Sequence, residues 1–200
     1  MSKTILDICL SILSLLITLP FYILIAIAIK IDSKGPIFYI QPRVGFKGKL
    51  FNIIKFRTMY INTNFSSSVT INNDPRITKT GKFLRRYKID EWPTAFNVLK
   101  FQMSFVGPRP ESPIYAKLYS EEQRAVFNVK PGITDPAAIL FNNESELLND
   151  IDHTQEIYIH KIMPAKLSVN LEYIKNRTLI GDVKIIYNTI WLVMKKIFQL

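Results

Sequence analysis

Cysteine is almost absent from this 200-residue chain: Cys9 stands alone, inside an apolar run. That count excludes an internal disulfide and a cysteine-built zinc site. Histidine is as scarce, with His153 and His160 seven positions apart and no second pair, which argues against a histidine-built metal site. Acidic residues are rare in one block in particular. Residues 30–110 hold 15 Lys/Arg against 4 Asp/Glu, a net charge of +11, while residues 1–29 are neutral and residues 111–200 sum to −1. The excess positive charge of the chain therefore sits in one block of 81 residues, which points to a polyanionic partner: nucleic acid, anionic lipid or a phosphorylated substrate. Hydrophobic residues at 48% and charged residues at 21% exclude a disordered tail. The length suits one domain, or one domain and a membrane segment; the sequence carries no internal repeat and no linker between two soluble units.

Charge is missing altogether from Ile8 to Ile29, 22 residues rich in Leu and Ile. A helix of that length, at about 1.5 Å per residue, matches a hydrocarbon core ~30 Å thick. A cleaved signal peptide is the competing reading, since Ala26-Ile27-Ala28 resembles a cleavage site, but the apolar run is too long and only Lys3 precedes it. Lys30, Lys34, Arg43, Lys47 and Lys49 follow the run, so the positive-inside rule puts the following domain in the cytoplasm. Pro20 falls in mid-run, where it removes a helix hydrogen bond and crowds the preceding turn. It predicts either a kinked spanning helix or a helix–break–helix hairpin, and spanning is the commoner outcome.

Downstream, Pro36–Ile40 and Leu50–Phe56 are β-rich runs around a Gly45–Gly48 turn and predict a hairpin. Residues 60–76, rich in Asn and Ser, read as a mobile surface loop. Gly81–Tyr87 reads as a short basic helix. Asp90 is expected to cap a further helix, with Pro93 in its first turn and Trp92, Phe96 and Leu99 on a buried face. Gly107-Pro108-Arg109-Pro110 predicts an extended, rigid turn, and Pro164 the start of a helix to about Asn176. Asp182–Phe198 reads as a final helix with Val183, Ile186, Tyr187, Ile190, Trp191 and Met194 on one stripe beside Lys195-Lys196. The stripe is expected to face the core, with the membrane interface as the alternative.

Inside the basic block the acids are Asp32, Asp74 and the adjacent pair Asp90-Glu91. At a helix N-terminus Asp90 would stay ionised, with a phosphate held nearby. Ionised carboxylates among cations suit two tasks, holding Mg2+ or attacking phosphorus. Lys55, Arg57, Arg85, Arg86 and Arg109 are the cations available to neutralise phosphate oxygens. On spacing alone, an equally weighted reading is that Asp90 merely caps a helix while Glu91 pairs with Arg86 or Lys88.

The ordered pattern tips that balance. Asp32-Ser33-Lys34-Gly35-Pro36-Ile37-Phe38, Gln41-Pro42-Arg43-Val44-Gly45, Lys55-Phe56-Arg57-Thr58-Met59 and Asp74-Pro75-Arg76-Ile77-Thr78 occur in sequence. Gly81-Lys82-Phe83-Leu84-Arg85, Asp90-Glu91-Trp92-Pro93, Asn97-Val98-Leu99-Lys100, Met103–Pro110 and Lys130-Pro131-Gly132-Ile133-Thr134 continue it. Together, over roughly residues 5–195, they resemble the bacterial sugar transferase family, small monotopic phosphoglycosyl transferases that begin glycan assembly on polyprenyl phosphate.

The resemblance implies an α/β fold of α+β type, mostly helical. A re-entrant membrane helix over residues 1–31 would precede a small cytoplasmic catalytic domain over residues 32–200, with a β-hairpin and interfacial helices. It implies Pro20 as the membrane helix break, although Leu19 stands where the family often has Ser. It implies Asp90 as nucleophile on the β-phosphorus of a UDP-sugar, releasing UMP, with undecaprenyl (polyprenyl) phosphate then taking the phosphosugar. Glu91 would deprotonate that acceptor or support the metal. Mg2+ would sit on Asp90, and Lys55, Arg57, Arg85 and Arg109 would bind substrate phosphate, Arg57 the weakest match. The implied partners are UDP-sugar, polyprenyl phosphate and membrane lipid, not nucleic acid; a homo-oligomer stays open. After Pro131-Gly132-Ile133-Thr134 many members continue Gly-Trp-Ala-Gln-Val-Asn-Gly-Arg, whereas this chain has Asp135-Pro136-Ala137-Ala138-Ile139 and no counterpart of that Arg before Arg177. The rival reading is a membrane-tethered basic module that binds anionic lipid or nucleic acid without catalysis.

Overall fold

The structure, a computed structural model, describes residues 3–61, 74–142 and 154–198. The expected polar loop falls largely on residues 62–73, outside the described residues. The chain opens with helix α1, Lys3–Asp32, which runs through Pro20 as one helix. Thr18, two residues earlier, donates its hydroxyl to the Ser14 carbonyl at 2.8 Å. Proline therefore does not divide the apolar segment into two separate helices, as a helix–break–helix reading expects.

Asp7, Ser11, Leu15, Tyr22 and Ile29 are the buried residues of α1. Their spacing of four or seven puts them on one stripe along its length. The opposite side is apolar and open, with Leu16, Ile23 and Leu24 each at least 65% exposed. Both ends are tied to the rest of the chain. Near the start, Lys3 pairs with Asp182, and the Asp7 carboxylate accepts from Ser104 Oγ and the Phe105 N–H, each at 3.0 Å. At the far end Asp32 accepts from the Thr80 N–H at 2.6 Å. In between, Leu15, Tyr22 and Ile29 form a core with Phe56, Leu84 and Ala95, and the Tyr22 and Phe56 rings meet edge to face at 4.9 Å. Each such buried side chain contributes about 1.5–3 kcal/mol.

Strands β1 (Phe38–Val44) and β2 (Leu50–Phe56) form the expected antiparallel hairpin, in register from Phe38↔Phe56 to Val44↔Leu50. Its turn uses left-handed backbone at Lys47 and Gly48, φ 56° and 71°. Helix α2, Lys79–Arg86, begins where Thr78 Oγ1 accepts from the Gly81 N–H at 2.9 Å. A Cβ at Gly81 would collide with the Thr58 carbonyl, so glycine permits this helix to sit against the end of the hairpin.

A 3-10 turn, Ile89–Thr94, leads into α3, Ala95–Leu99, whose Ala95 and Val98 are buried while Trp92, Phe96 and Leu99 pack on the core edge. A pair not foreseen follows: β3 (Ser104–Val106) runs parallel to β4 (Gly132–Thr134). Gly107 and Gly132 touch there, leaving no room for a Cβ on either. Helices α4 (Pro113–Ala116), α5 (Pro136–Leu140), α6 (Thr154–Ile157), α7 (Met163–Asn176) and α8 (Leu179–Phe198) complete the chain. Tyr115, Tyr119, Val126, Met163 and Leu167 form a second core. The described residues are mostly helical, with two small sheets among them.

The stripe of α8 corrects one expectation. Val183, Tyr187, Ile190, Trp191 and Met194 are 40–65% exposed rather than in the core. The inward side of α8 instead carries Asp182, which accepts from the Tyr173 hydroxyl at 2.6 Å, and Thr189, which meets Thr134 Oγ1 at 2.7 Å.

Candidate active site

Asp90 and Glu91 stand at the start of the 3-10 turn. Asp90 is not the cap that the sequence suggested. Lys88 holds that place in a left-handed conformation, φ 58°, reversing the chain as it leaves α2. Side chains from the turn and α3 then bind the edge of β2. Thr94 donates to the Ile54 carbonyl at 3.2 Å, and Asn97, fully buried, accepts from the Ile54 N–H at 3.0 Å and donates to the Asn52 carbonyl at 2.7 Å. Lys55, the next residue on β2, is thereby brought to the acidic pair.

Its Nζ lies 2.7 Å from Glu91 Oε1. Arg109, on the segment after β3, reaches the same carboxylate with two nitrogens, at 2.5 Å to Oε1 and 3.4 Å to Oε2. Glu91 thus pairs with Lys55 and Arg109, not with Arg86 or Lys88. Burial alone would raise the Glu91 carboxyl, but Arg109 and Lys55 outweigh it and hold the group well below the usual carboxylate range. Asp90 goes the other way. It is 7% exposed, and burial, then the negative charge of Glu91, push its carboxyl above the ordinary value despite Lys55, Lys88 and Arg85. The expected preference for the ionised form at a helix end is therefore replaced by a buried carboxyl of raised basicity. Its Oδ1 is buried without a hydrogen-bond partner.

Arg85 joins this group through its charge, with its Nε donating to Thr58 Oγ1 at 2.8 Å. Arg57 does not. It is 3% exposed and its guanidinium donates to the carbonyls of Ser33 and Lys34, where it ties β2 to the end of α1. Pro20 lies inside α1, and the ring of Phe21 beside it meets Trp92 at 6.4 Å. Beside the site opens a cavity of about 540 Å3 whose walls include Lys88, Glu91, Arg109, Arg43, Tyr115 and Asp135. Asp90 is not among the residues that line it.

Among the described residues no three His, Cys, Asp or Glu converge as a metal cage. The donor set that exists is the free oxygen of Asp90, since both oxygens of Glu91 are engaged. One carboxylate oxygen, with water and substrate phosphate completing the shell, is a donor set that Mg2+ accepts. Asp135, which the sequence reading passed over, is also here, accepting from the Arg109 N–H at 2.9 Å. Asp135 followed by Pro136 and an alanine pair was a helix-start signal.

The model of the bacterial sugar transferase family matches residues 1–196. Undecaprenyl-phosphate glucose phosphotransferase of Komagataeibacter xylinus is 38% identical over 200 residues, 95% of this chain and 35% of the relative. UDP-glucose:undecaprenyl-phosphate glucose-1-phosphate transferase of Escherichia coli K12 is 37% identical over 92% of this chain and 38% of its own length. The chain thus spans little more than a third of these two relatives. A putative undecaprenyl-phosphate N-acetylgalactosaminyl 1-phosphate transferase of Bacillus subtilis is 42% identical over 60% of this chain and 68% of its own. With the match running from the apolar helix through the acidic pair to the last helix, the chain belongs to the bacterial sugar transferase family.

Proposed function

We propose that this chain transfers a sugar 1-phosphate from a UDP-sugar to undecaprenyl or another polyprenyl phosphate, through a covalent adduct on Asp90. The observation that carries the reading is Asp90 itself: a buried carboxyl with an unpartnered oxygen, surrounded by the charges of Lys55, Arg85 and Lys88. A carboxylate of raised basicity is the better nucleophile, provided it ionises at the working pH. The matching relatives, named for glucose and N-acetylgalactosamine phosphate transfer to undecaprenyl phosphate, support the reaction class.

In the first step an Asp90 oxygen bonds to the β-phosphorus, and the bond from that phosphorus to the bridging oxygen breaks. UMP departs with the bond's electron pair. In the second step an oxygen of polyprenyl phosphate bonds to the same phosphorus and returns the carboxylate of Asp90. Lys55, Arg85 and Arg109 offset the charge of the diphosphate, and an incoming diphosphate competes with Glu91 for Arg109 and Lys55. Glu91, held so firmly ionised, is a poor base, and its part is to hold these two cations in place. Mg2+ on Asp90 would supply further charge neutralisation when bound.

The membrane reading rests on α1. Its hydropathy and length suffice to cross a bilayer. A crossing would nevertheless carry Lys3 and Asp7 away from Asp182, Ser104 and Phe105, with which they bond. These bonds support a reading in which both ends of α1 share one face of the membrane, proposed as the cytoplasmic face of the inner membrane, with the open apolar side in lipid. A panel of UDP-sugars tested for UMP release in membranes containing polyprenyl phosphate checks the reaction and finds the sugar. Release from none of them would leave the lipid-binding alternative standing.

A further inference from the structure

We propose that Asp135 is the positioning residue for Arg109, fixing its backbone so that the guanidinium meets Glu91 and the donor diphosphate; this rests on the transferase reading above. In Pro108-Arg109-Pro110 the two prolines have no N–H, so Arg109 supplies the tripeptide's single backbone donor. That N–H goes to Asp135 Oδ2 at 2.9 Å. The other oxygen, Oδ1, accepts from the Ala138 N–H at 2.5 Å and caps α5. Asp135 is 1% exposed, and both its oxygens are committed.

The surrounding backbone explains why a side chain is needed. Gly107 N–H donates to the Thr134 carbonyl at 3.1 Å, and Gly132 N–H to the Pro108 carbonyl at 3.0 Å. The first bond extends the β3–β4 pairing past Val106↔Thr134, and the second ties Pro108 back to the start of β4. Beyond Thr134 the chain turns into α5 at Pro136, so the ladder has no further backbone acceptor in line, and the Asp135 carboxylate takes that role. Arg109 is anchored at its backbone by Asp135 and at its tip by Glu91, so its long side chain spans fixed points on two elements.

Asp135→Ser separates the clamp from the cap. Serine is a good helix cap for the Ala138 N–H, but its side chain is too short to serve a second N–H as well. The variant is compared with wild type for UDP-sugar KM, kcat and melting temperature, and again in an Arg109→Ala background. The expected result is a KM raised about tenfold in the native background, the size of a weakened charge-assisted hydrogen bond. The lost backbone bond should lower the melting temperature by a few degrees, alike in both backgrounds because the N–H persists in Arg109→Ala, and KM should rise no further once Arg109 is Ala. Should Asp135→Ser melt far below the wild type, Asp135→Asn, of the same size, takes its place in the same cycle. An equal KM increase in both backgrounds, or none in either, overturns the proposal while leaving the transferase reading intact. A wild type that forms no phosphosugar adduct defeats that reading and this inference with it.

Discussion

Replacing Asp7 by Leu makes α1 more apolar, and a helix held only by its hydropathy should tolerate or welcome the change. The contacts of Asp7 give the opposite expectation. Its carboxylate is 6% exposed and accepts two hydrogen bonds, from Ser104 Oγ and the Phe105 N–H, each at 3.0 Å. Ser104 Oγ also lies 3.1 Å from the Val106 carbonyl and keeps a partner, whereas the Phe105 N–H, which donates to Asp7, loses that acceptor. Bonds to a charged acceptor contribute about 1.5–3 kcal/mol each, and an orphaned buried N–H costs about 1–3 kcal/mol. Leucine regains part of this through its own burial, about 1.5–3 kcal/mol at most. The net loss is about 2.5–6 kcal/mol, which for a chain of this size lowers the melting temperature by roughly 5–25 °C. Thermal unfolding in lipid nanodiscs, followed by tryptophan fluorescence, measures it. Asp7→Asn, which keeps one acceptor oxygen, should fall between the two. A leucine variant as stable as wild type, or more stable, would refute the idea that Asp7 clamps the helix to the domain.

Three further outcomes follow from the site. The Asp90 carboxyl is raised by burial and by Glu91, so the acid limb of adduct formation lies above 3.8, the ordinary aspartate value. Protonation on that limb removes the nucleophile, so Glu91→Gln, which deletes the negative neighbour, should slow turnover yet move the limb to lower pH in quench-flow rates. A limb that moves up contradicts the electrostatic account. Chelation with EDTA should stop UMP release and Mg2+ should restore it, and undiminished release after thorough chelation would count against Asp90 as a metal ligand. A cysteine placed after Met1 in a Cys9→Ala background should escape an impermeant thiol reagent on intact cells, and labelling there would mean that α1 crosses the membrane.

Much of this arrangement was legible locally. The hairpin declares itself because Leu50–Phe56 is rich in β-forming residues and Gly48 accepts the left-handed turn. The basic helix α2 and the start of α7 near Pro164 follow from capping and proline rules that act within a few residues. The misreadings share another cause. Asp90 looked like a cap because cap preferences are local, while Lys88 adopts its left-handed backbone to suit the packing of α2 against the following turn. The stripe on α8 gave the right periodicity, but periodicity does not say which apolar side the domain covers. The β3–β4 pair joins short segments distant in sequence, and its only local trace is the pair of glycines where they touch. Asp90, Glu91, Lys55, Arg85 and Arg109 stood out first as the acids and cations of the basic block, and the family pattern then gave them their expected roles. Arg57 lies in the same pattern yet serves the end of α1, because a motif records which residues recur and not which way each side chain turns.

The covalent step is tested most directly by intact mass of the purified chain after incubation with UDP-sugar and no lipid acceptor. Wild type should gain the mass of one phosphosugar and release one UMP, and polyprenyl phosphate should then discharge the adduct. Asp90→Asn, folded and membrane-bound as judged by its melting curve, should gain nothing, because an amide is a poor nucleophile. An Asp90→Asn protein that turns over at the wild-type rate, or a wild type that releases UMP without ever carrying the added mass, would contradict the account.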